Sequence, residues 1–177
     1  MTAYRRYRLK ERRYFFTVAL AERRSRLLTE NIQRLRTAFR EVKGVHPFTM
    51  EAVVILPDHL HCIWTLPEGD NDFSTRWRQI KAAFSRQLPK TERRSNSRVN
   101  KGERGIWQRR FWEHAIRDEM DYQRHVDYIH YNPVKHGYVT RVADWPFSSF
   151  HRFVRLGMYP SDWCGSGLRD MDLAGAE

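Results

Sequence analysis

The chain has 177 residues, enough for one substantial hydrophobic core and too few for two ordinary domains. Hydrophobic residues make up 41% of it and aromatic residues 14%, which excludes a disordered chain. Lysine and arginine number 32 against 21 acidic residues, so the net charge of +11 favours a polyanionic partner, nucleic acid before an anionic membrane surface. We therefore expect a single globular domain over residues 1–177.

The sequence also bears on the cellular compartment. No apolar run approaches the roughly 20 residues of a membrane span, and the first residues lack the apolar segment of a signal peptide. Two cysteines, Cys62 and Cys164, lie far apart and match no zinc spacing, so we expect free thiols. These features predict a cytoplasmic protein with no membrane partner.

The first half of the chain has the hydrophobic pattern of alternating strands and helices. A strand is predicted over 14–20 and a helix over 29–43, which Thr29 would open and Gly44 would follow. Two strands, 48–56 and 59–66, are separated only by Pro57 and Asp58, so we expect an antiparallel hairpin. A second amphipathic helix is predicted over 72–88.

The second half begins with a basic segment, 89–105, which has no hydrophobic periodicity and is expected to be an exposed mobile loop. A fourth strand is predicted within 106–116 and a helix within 117–137, before a C-terminal extension over about 140–177. The order predicts an α+β fold, a ferredoxin-like or RRM-like antiparallel sheet covered by helices on one side.

Two histidines, His59 and His61, lie one residue apart in the strand predicted over 59–66. Strand side chains alternate between faces, so the imidazoles share a face with Ile63 and Thr65, which we expect to be partly open. Two strand rises of about 3.3 Å each would let both rings reach one metal ion. The same pattern arises by chance in about a third of chains with this histidine content, so the pair alone also fits a coincidence.

The helix predicted within 117–137 has two contrasting faces. Tyr122, Val126 and Ile129 cluster on the side expected to face the core. The residues on nearly the opposite side are Arg117, Asp121, Arg124 and Tyr128. On this pattern Tyr128 is not placed like a core tyrosine.

Asn132 has two possible roles in this segment. It would share the face of Tyr128 if the helix continued, but Pro133 biases the preceding residue away from helical dihedrals. Asn132 could equally cap a turn that begins with Pro133 and is closed by Gly137. The sequence leaves both roles open.

Three blocks of sequence together resemble the REP-associated tyrosine transposases, a branch of the HUH single-stranded-DNA transposases (histidine, hydrophobic residue, histidine). The blocks are HLHCIWTLPEGD, IWQRRFWEHAIRDEMDYQRHVDYIHYNPVKHG and DWPFSSFHRFV. The similarity extends from about Tyr4 to Trp163, and the three blocks in this order are far more specific than the histidine pair. The long basic loop at 89–105 departs from the family pattern.

This resemblance implies roles for four residues. His59 and His61 would bind a divalent metal, Tyr128 would be the nucleophile that attacks a phosphodiester, and Asn132 matches the position of a third ligand. Imidazoles with an amide oxygen suit Mg²⁺ or Mn²⁺. The implied reaction is cleavage and rejoining of single-stranded DNA at REP-like hairpins through a 5′-phosphotyrosine, with the HUH motif on a central strand and the tyrosine on a helix.

Contacts to DNA are expected from tyrosine and arginine side chains that could stack on bases or hold phosphates, although a solvated charge run would have the same composition. They are Tyr4, Arg5, Arg6, Arg8, Arg93, Arg94, Arg117 and Arg124. Two other functions fit the same sequence, a non-catalytic RRM-like nucleic-acid-binding module and a metal-dependent phosphodiesterase that uses water. The sequence does not choose between a monomer and a homodimer.

Overall fold

The computed structural model describes residues 12–165, and its centre is a four-stranded antiparallel sheet in the order β2-β3-β1-β4. The strands are β1 (Arg13–Ala19), β2 (Thr49–Ile55), β3 (His59–Thr65) and β4 (Trp112–Ala115). The two central strands pair along their whole length, from Arg13 opposite Thr65 to Ala19 opposite His59. This strand order confirms the predicted ferredoxin-like α+β fold.

The helices are α1 (Leu27–Glu30), α2 (Ile32–Val45), α3 (Phe73–Arg86), α4 (Asn96–Asn100), α5 (Glu119–Lys135) and α6 (Phe150–Arg155), with a 3-10 turn at Val142–Asp144. The helix predicted over 29–43 is therefore divided at Asn31, whose side-chain amide donates a hydrogen bond to the Leu27 carbonyl. Such local bonds compete with the helical ladder and favour a break. Gly44 lies inside α2 and not beyond its end.

Both faces of the sheet are covered, so the prediction of helices on one side only is wrong. On one face, Phe16, Leu60 and Trp64 pack against α2 and α3. On the other, Phe15 and Ile63 pack against α5 and the C-terminal segment. The reason is visible in β1 and β3, which are apolar at successive positions, as expected of strands buried on both sides.

The basic segment 89–105 contains structure that its composition did not signal. Ser95 caps the short helix α4 by accepting a hydrogen bond from the Arg98 backbone N–H. Arg104 pairs with Glu92 and donates a hydrogen bond of 2.6 Å to the Ser85 carbonyl at the end of α3. The prediction of a segment without secondary structure is therefore wrong at α4.

The C-terminal segment covers part of the outer edge of β2. The Ile55 N–H donates to the Phe147 carbonyl, and the Ser149 N–H donates to the Val53 carbonyl, both at 2.8 Å. The Val53 N–H in turn donates to the Ser149 hydroxyl, which also bonds His130 Nε2 on α5 at 2.9 Å. These bonds join the β2 edge, the C-terminal segment and α5, so α5 is held between the sheet and the C-terminal segment.

Candidate active site

The two histidines of β3 lie on the face of the sheet that α5 covers. His59 is 2% exposed and His61 is fully buried, so this face is closed and not partly open as predicted. Their ring centroids are 5.0 Å apart. The Nε2 atom of each is buried and has no hydrogen-bond partner among residues 12–165. The predicted shared face is confirmed, with two unpaired ring nitrogens side by side.

A hydroxyl on the neighbouring strand orients His61. Thr17 of β1 lies directly opposite His61 in the strand register, and its Oγ1 is 2.8 Å from His61 Nδ1. A bond at Nδ1 leaves the lone pair of Nε2 available when Nδ1 carries the proton, and metal-binding histidines are commonly held in this way. Sequence analysis missed Thr17, although a polar residue within the apolar run FFTVAL was a signal.

Asp58 orients the second histidine. Its carboxylate lies 2.8 Å from His59 Nδ1 and accepts a hydrogen bond of 2.6 Å from Arg23 Nε. Burial raises the pKa of Asp58, but the hydrogen bond and charge of His59, together with Arg23, outweigh it and leave the pKa lowered. Sequence analysis treated this residue only as part of a turn, whereas the carboxylate holds His59 in place.

Burial also sets the protonation state of His61. The pKa of His61 is well below its usual value, first because the ring is buried and then because the neighbouring groups His59, His136 and Lys135 disfavour a further positive charge at this position. His61 is therefore neutral at physiological pH. Neutral imidazole is the form that binds a metal ion.

The third candidate ligand, Asn132, lies within α5, because the helix continues through Pro133 to Lys135 and ends before Gly137, whose φ is +71°. The alternative that Asn132 caps a new turn is wrong. Its side chain is fully buried, and neither Oδ1 nor Nδ2 has a hydrogen-bond partner in the described part of the chain. An unpaired buried polar group costs about 1–3 kcal/mol, so an amide without a partner in the described residues is a candidate for binding a ligand.

Tyr128 also faces the histidines. Its side chain is buried, and its ring centroid lies 5.2 Å from that of His61 and 6.1 Å from that of Phe15. The Nζ of Lys135 lies 5.1 Å from the centre of the Tyr128 ring. His136 lies at the same end of α5, with its ring 5.1 Å from that of His59. Sequence analysis assigned no role to either side chain.

The prediction that Tyr128 lies opposite the core, on a face shared with Arg117 and Arg124, is wrong. Arg117 precedes Asp118, the N-cap of α5, and Arg124 is exposed beside Met120. Helix α5 is buried around most of its circumference because the sheet covers one side and the C-terminal segment covers another. A pattern argument that assumes one packing partner cannot describe such a helix.

The two nearby tyrosines occupy other environments. Tyr122 is buried under the Arg13 guanidinium, 4.3 Å from its ring centre, and burial followed by the charge of Glu51 raises the pKa of Tyr122 to about 12. Its predicted core position is confirmed. Tyr131 is half-buried and packs closely against Gly165 of the C-terminal segment.

A second group of potential metal ligands lies beside β4. Ligand atoms of His114, Asp121 and His125 lie within 4.8 Å of one another. His114 Nε2 is 2.8 Å from Asp121 Oδ2, His125 Nδ1 is 2.8 Å from the Asp121 carbonyl, and the Arg117 N–H donates to the same carboxylate. These contacts fasten the start of α5 to β4, although His125 Nε2, like the Nε2 atoms of His59 and His61 and the amide of Asn132, is buried without a partner among residues 12–165.

This cluster predicts a pH-dependent contribution to stability. Burial raises the pKa of Asp121, but the Arg117 N–H, His114 and His125 outweigh it and lower the pKa to about 2. A lowered carboxyl pKa stabilises the fold above the unfolded value near 3.9, and the contribution disappears as pH falls towards 2. We expect Asp121→Asn to lose about 2 kcal/mol at pH 7 and progressively less below pH 4, measured by urea unfolding. A deficit that stayed constant down to pH 2.5 would contradict this.

The residues predicted to contact DNA are dispersed. Tyr4, Arg5, Arg6 and Arg8 lie outside the described residues. Arg93 and Arg94 are exposed in the basic segment, and Arg117 and Arg124 are exposed at the start of α5. Their contacts with DNA stay predictions. Within residues 12–165, no helix combines the length and apolarity needed to cross a bilayer.

Comparison with known proteins shows the family to which the chain belongs. Residues 9–132 match the family described as "Transposase IS200 like". The chain is 55% identical over 165 residues to the REP-associated tyrosine transposase of Escherichia coli (strain K12). The alignment covers 93% of this chain and 92% of that protein. A Haemophilus influenzae protein (strain ATCC 51907 / DSM 11121 / KW20 / Rd), provisionally given the same name, is 50% identical over 167 residues, with 94% and 95% covered.

A solved structure agrees with the sequence comparisons. The structure of a REP-associated tyrosine transposase bound to a REP hairpin superposes with a TM-score of 0.75 at 55% identity, covering 92% of this chain and 91% of that one. The family match spans well over half of the chain, and the relatives are matched along nearly their whole length. The chain belongs to the IS200-like transposase family.

Proposed function

We propose that the protein is a metal-dependent strand transferase that cleaves and rejoins single-stranded DNA at REP-like hairpins. One observation carries the proposal: the Tyr128 ring lies beside His61, and polar atoms of His59, His61 and Asn132, which is one helical turn after Tyr128, are buried without partners in the described chain. Membership of the transposase family and a relative's structure with a REP hairpin support the same substrate.

The donor set fits a divalent metal ion. We assign His59 Nε2, His61 Nε2 and the side-chain oxygen of Asn132 as its ligands, because these atoms are buried and unpaired within residues 12–165. Two imidazoles with an amide oxygen, completed by water and phosphate oxygens, suit Mg²⁺ or Mn²⁺, whereas imidazole alone would favour zinc. When bound, such an ion would polarise the scissile phosphate and stabilise its developing charge.

The chain's own groups account for the covalent step. The Tyr128 hydroxyl gives up its proton to solvent, its oxygen attacks the phosphorus to form a tyrosine–phosphate bond, and the bond to the 3′ oxygen breaks as that oxygen takes up a proton from solvent. The products are a 5′-phosphotyrosine and a free 3′-hydroxyl, and attack by a 3′-hydroxyl reverses the step and rejoins DNA. The Lys135 ammonium lies over the ring, where a positive charge stabilises the phenolate that attacks.

The test is a denaturing gel of protein incubated with Mn²⁺ and a labelled hairpin carrying single-stranded flanks. With the label at the 3′ end, we expect a band shifted by the attached protein. With the label at the 5′ end, we expect a shortened, protein-free strand ending in a 3′-hydroxyl. Cleavage without the shifted band would indicate a water-using phosphodiesterase, and binding without cleavage would indicate a non-catalytic module. EDTA provides the control without metal.

Thr17 offers a test of the metal site that does not remove a ligand. Thr17→Val keeps the shape of the side chain but removes the hydroxyl at His61 Nδ1. Loss of such an orienting bond lowers metal affinity by about tenfold to a hundredfold, so the Mn²⁺ concentration for half-maximal cleavage should rise by that factor. Calorimetric titration with Mn²⁺ measures the same loss directly.

The matched control for Thr17→Val is Thr65→Val. Thr65 lies at the far end of β3, and its hydroxyl donates to Glu51 and not to a histidine. We expect this variant to retain the wild-type Mn²⁺ dependence. An equal shift in both variants would show that the effect comes from the sheet and not from His61.

A further inference from the structure

A groove of about 490 Å³ lies between α2, the β2 edge and the segment around Phe147. Its floor is apolar and includes Leu35, Phe39, Met50 and Val53. It is on the α2 side of the sheet, whereas His59 and His61 face α5. The groove is therefore separate from the candidate active site.

Positive charges border this groove. The cations are Arg36, Arg40, Lys43 and Arg152, and none of the acidic residues between positions 12 and 165 lines the groove. Arg36, Arg40 and Lys43 follow one another at four and three residues along α2, so they form one stripe with spacings of about 6 and 4.5 Å. All three are exposed, and none has an ion pair among the described residues.

The stripe differs from the fourth cation and from an ordinary solvated helix face. Arg152 donates to the carbonyls of Met50 and Glu51, so it already helps to satisfy the β2 edge. Like charges four residues apart repel one another, and a polyanion laid along the helix would relieve that repulsion. A helix face that contacts only water has no reason to border an apolar groove, whereas this stripe does.

We propose that this groove binds an unpaired segment of single-stranded DNA. Its phosphates would lie along Arg36, Arg40 and Lys43, and its bases would contact the apolar floor, where Phe39 and Phe147 supply aromatic rings. Cations along one side of an aromatic surface are the common arrangement for binding unpaired strands without sequence preference. The volume falls in the usual range for a ligand pocket. The inference rests on the proposed function, because the strand would be a flank of the hairpin substrate, away from the cleavage site.

Binding is tested by fluorescence anisotropy in EDTA, which stops the chemistry, using labelled dT12 and a blunt hairpin without flanks. We expect Arg36→Gln/Arg40→Gln to weaken dT12 binding at least about tenfold, with little effect on the blunt hairpin. The slope of log affinity against log salt should flatten by about 1.4, because each lost phosphate contact on a single strand removes about 0.7.

The charge-matched control is Arg78→Gln/Arg86→Gln on α3, which removes two exposed cations outside the groove. It should leave dT12 affinity within about twofold of wild type. Equal losses of dT12 affinity in both double variants would overturn the proposal in favour of general electrostatics. No loss of affinity in either variant would also overturn it. Matching thermal unfolding curves would establish that all variants are folded.

Cross-linking locates the bound strand. dT12 carrying 5-iodouracil should attach under ultraviolet light to peptides that contain Phe39 or Phe147, and attachment only elsewhere would overturn the proposal. Because these measurements need no cleavage, they separate the two inferences. A protein that binds dT12 through the groove but never forms a covalent adduct would refute the proposed function alone.

Discussion

Replacing Tyr128 with phenylalanine is expected to eliminate the covalent protein–DNA band while folding and hairpin binding remain intact. The variant loses only a hydroxyl, and the ring keeps its contacts with Phe15 and His61, so the packing of α5 on the sheet should persist. Loss of a nucleophile lowers catalysis by several orders of magnitude, and we expect at least about a thousandfold loss of cleavage. The measurement is a denaturing gel with 3′-labelled hairpin, alongside a binding titration in EDTA.

Two neighbouring tyrosines serve as matched controls. Tyr131→Phe should retain the band, because this ring packs against Gly165 and away from His61. Tyr122→Phe should also retain it and at most lower stability, since its ring is buried under Arg13. An adduct that persisted in Tyr128→Phe, mapped by peptide mass spectrometry to Tyr122 or Tyr131, would refute the assignment of the nucleophile.

The sheet could be predicted because its determinants are local. The alternation of side chains in 59–66 placed His59 and His61 on one face and Leu60 and Trp64 on the other, and the structure has that arrangement. The short connection at Pro57 and Asp58 likewise left an antiparallel hairpin as the natural pairing. Pattern and loop length suffice when a strand's neighbours are close in sequence.

The surroundings of α5 could not be predicted in the same way, because they depend on contacts between distant parts of the chain. Ser149 bonds Val53 across 96 residues, and this docking closes the second side of the helix. The helical-face argument assumed one covered side and therefore misplaced Tyr128 and Asp121, both of which are buried. The roles that the resemblance implies require Tyr128 near the histidines, and its ring centroid lies 5.2 Å from that of His61.

The groups that orient the histidines were hidden for the same reason. Thr17 reaches His61 only through the register of β1 against β3; the two residues are 44 positions apart, and no spacing rule connects them.

The role of Asn132 was ambiguous in the sequence because proline usually disfavours helical dihedrals in the preceding residue. In the structure α5 tolerates Pro133, and Asn132 keeps a helical position one turn after Tyr128, with its amide buried and without a partner among the described residues.

The second large effect is expected for His61→Ala, which should abolish cleavage while leaving much of the hairpin binding. His61 is fully buried beside Tyr128, and its Nε2 has no partner among the described residues, whereas we expect affinity for DNA to come mainly from basic residues elsewhere. Loss of Mn²⁺ binding, measured by electron paramagnetic resonance, should accompany loss of cleavage.

The matched control is His130→Gln. His130 is another buried histidine on the same side of the sheet, and it bonds Ser149 and not the candidate site. It should still bind Mn²⁺ and cleave, because only its contact with the C-terminal segment changes. Cleavage by His61→Ala at near the wild-type rate would show that the histidine pair holds no catalytic metal, and equal inactivation by His130→Gln would attribute the loss to damaged packing.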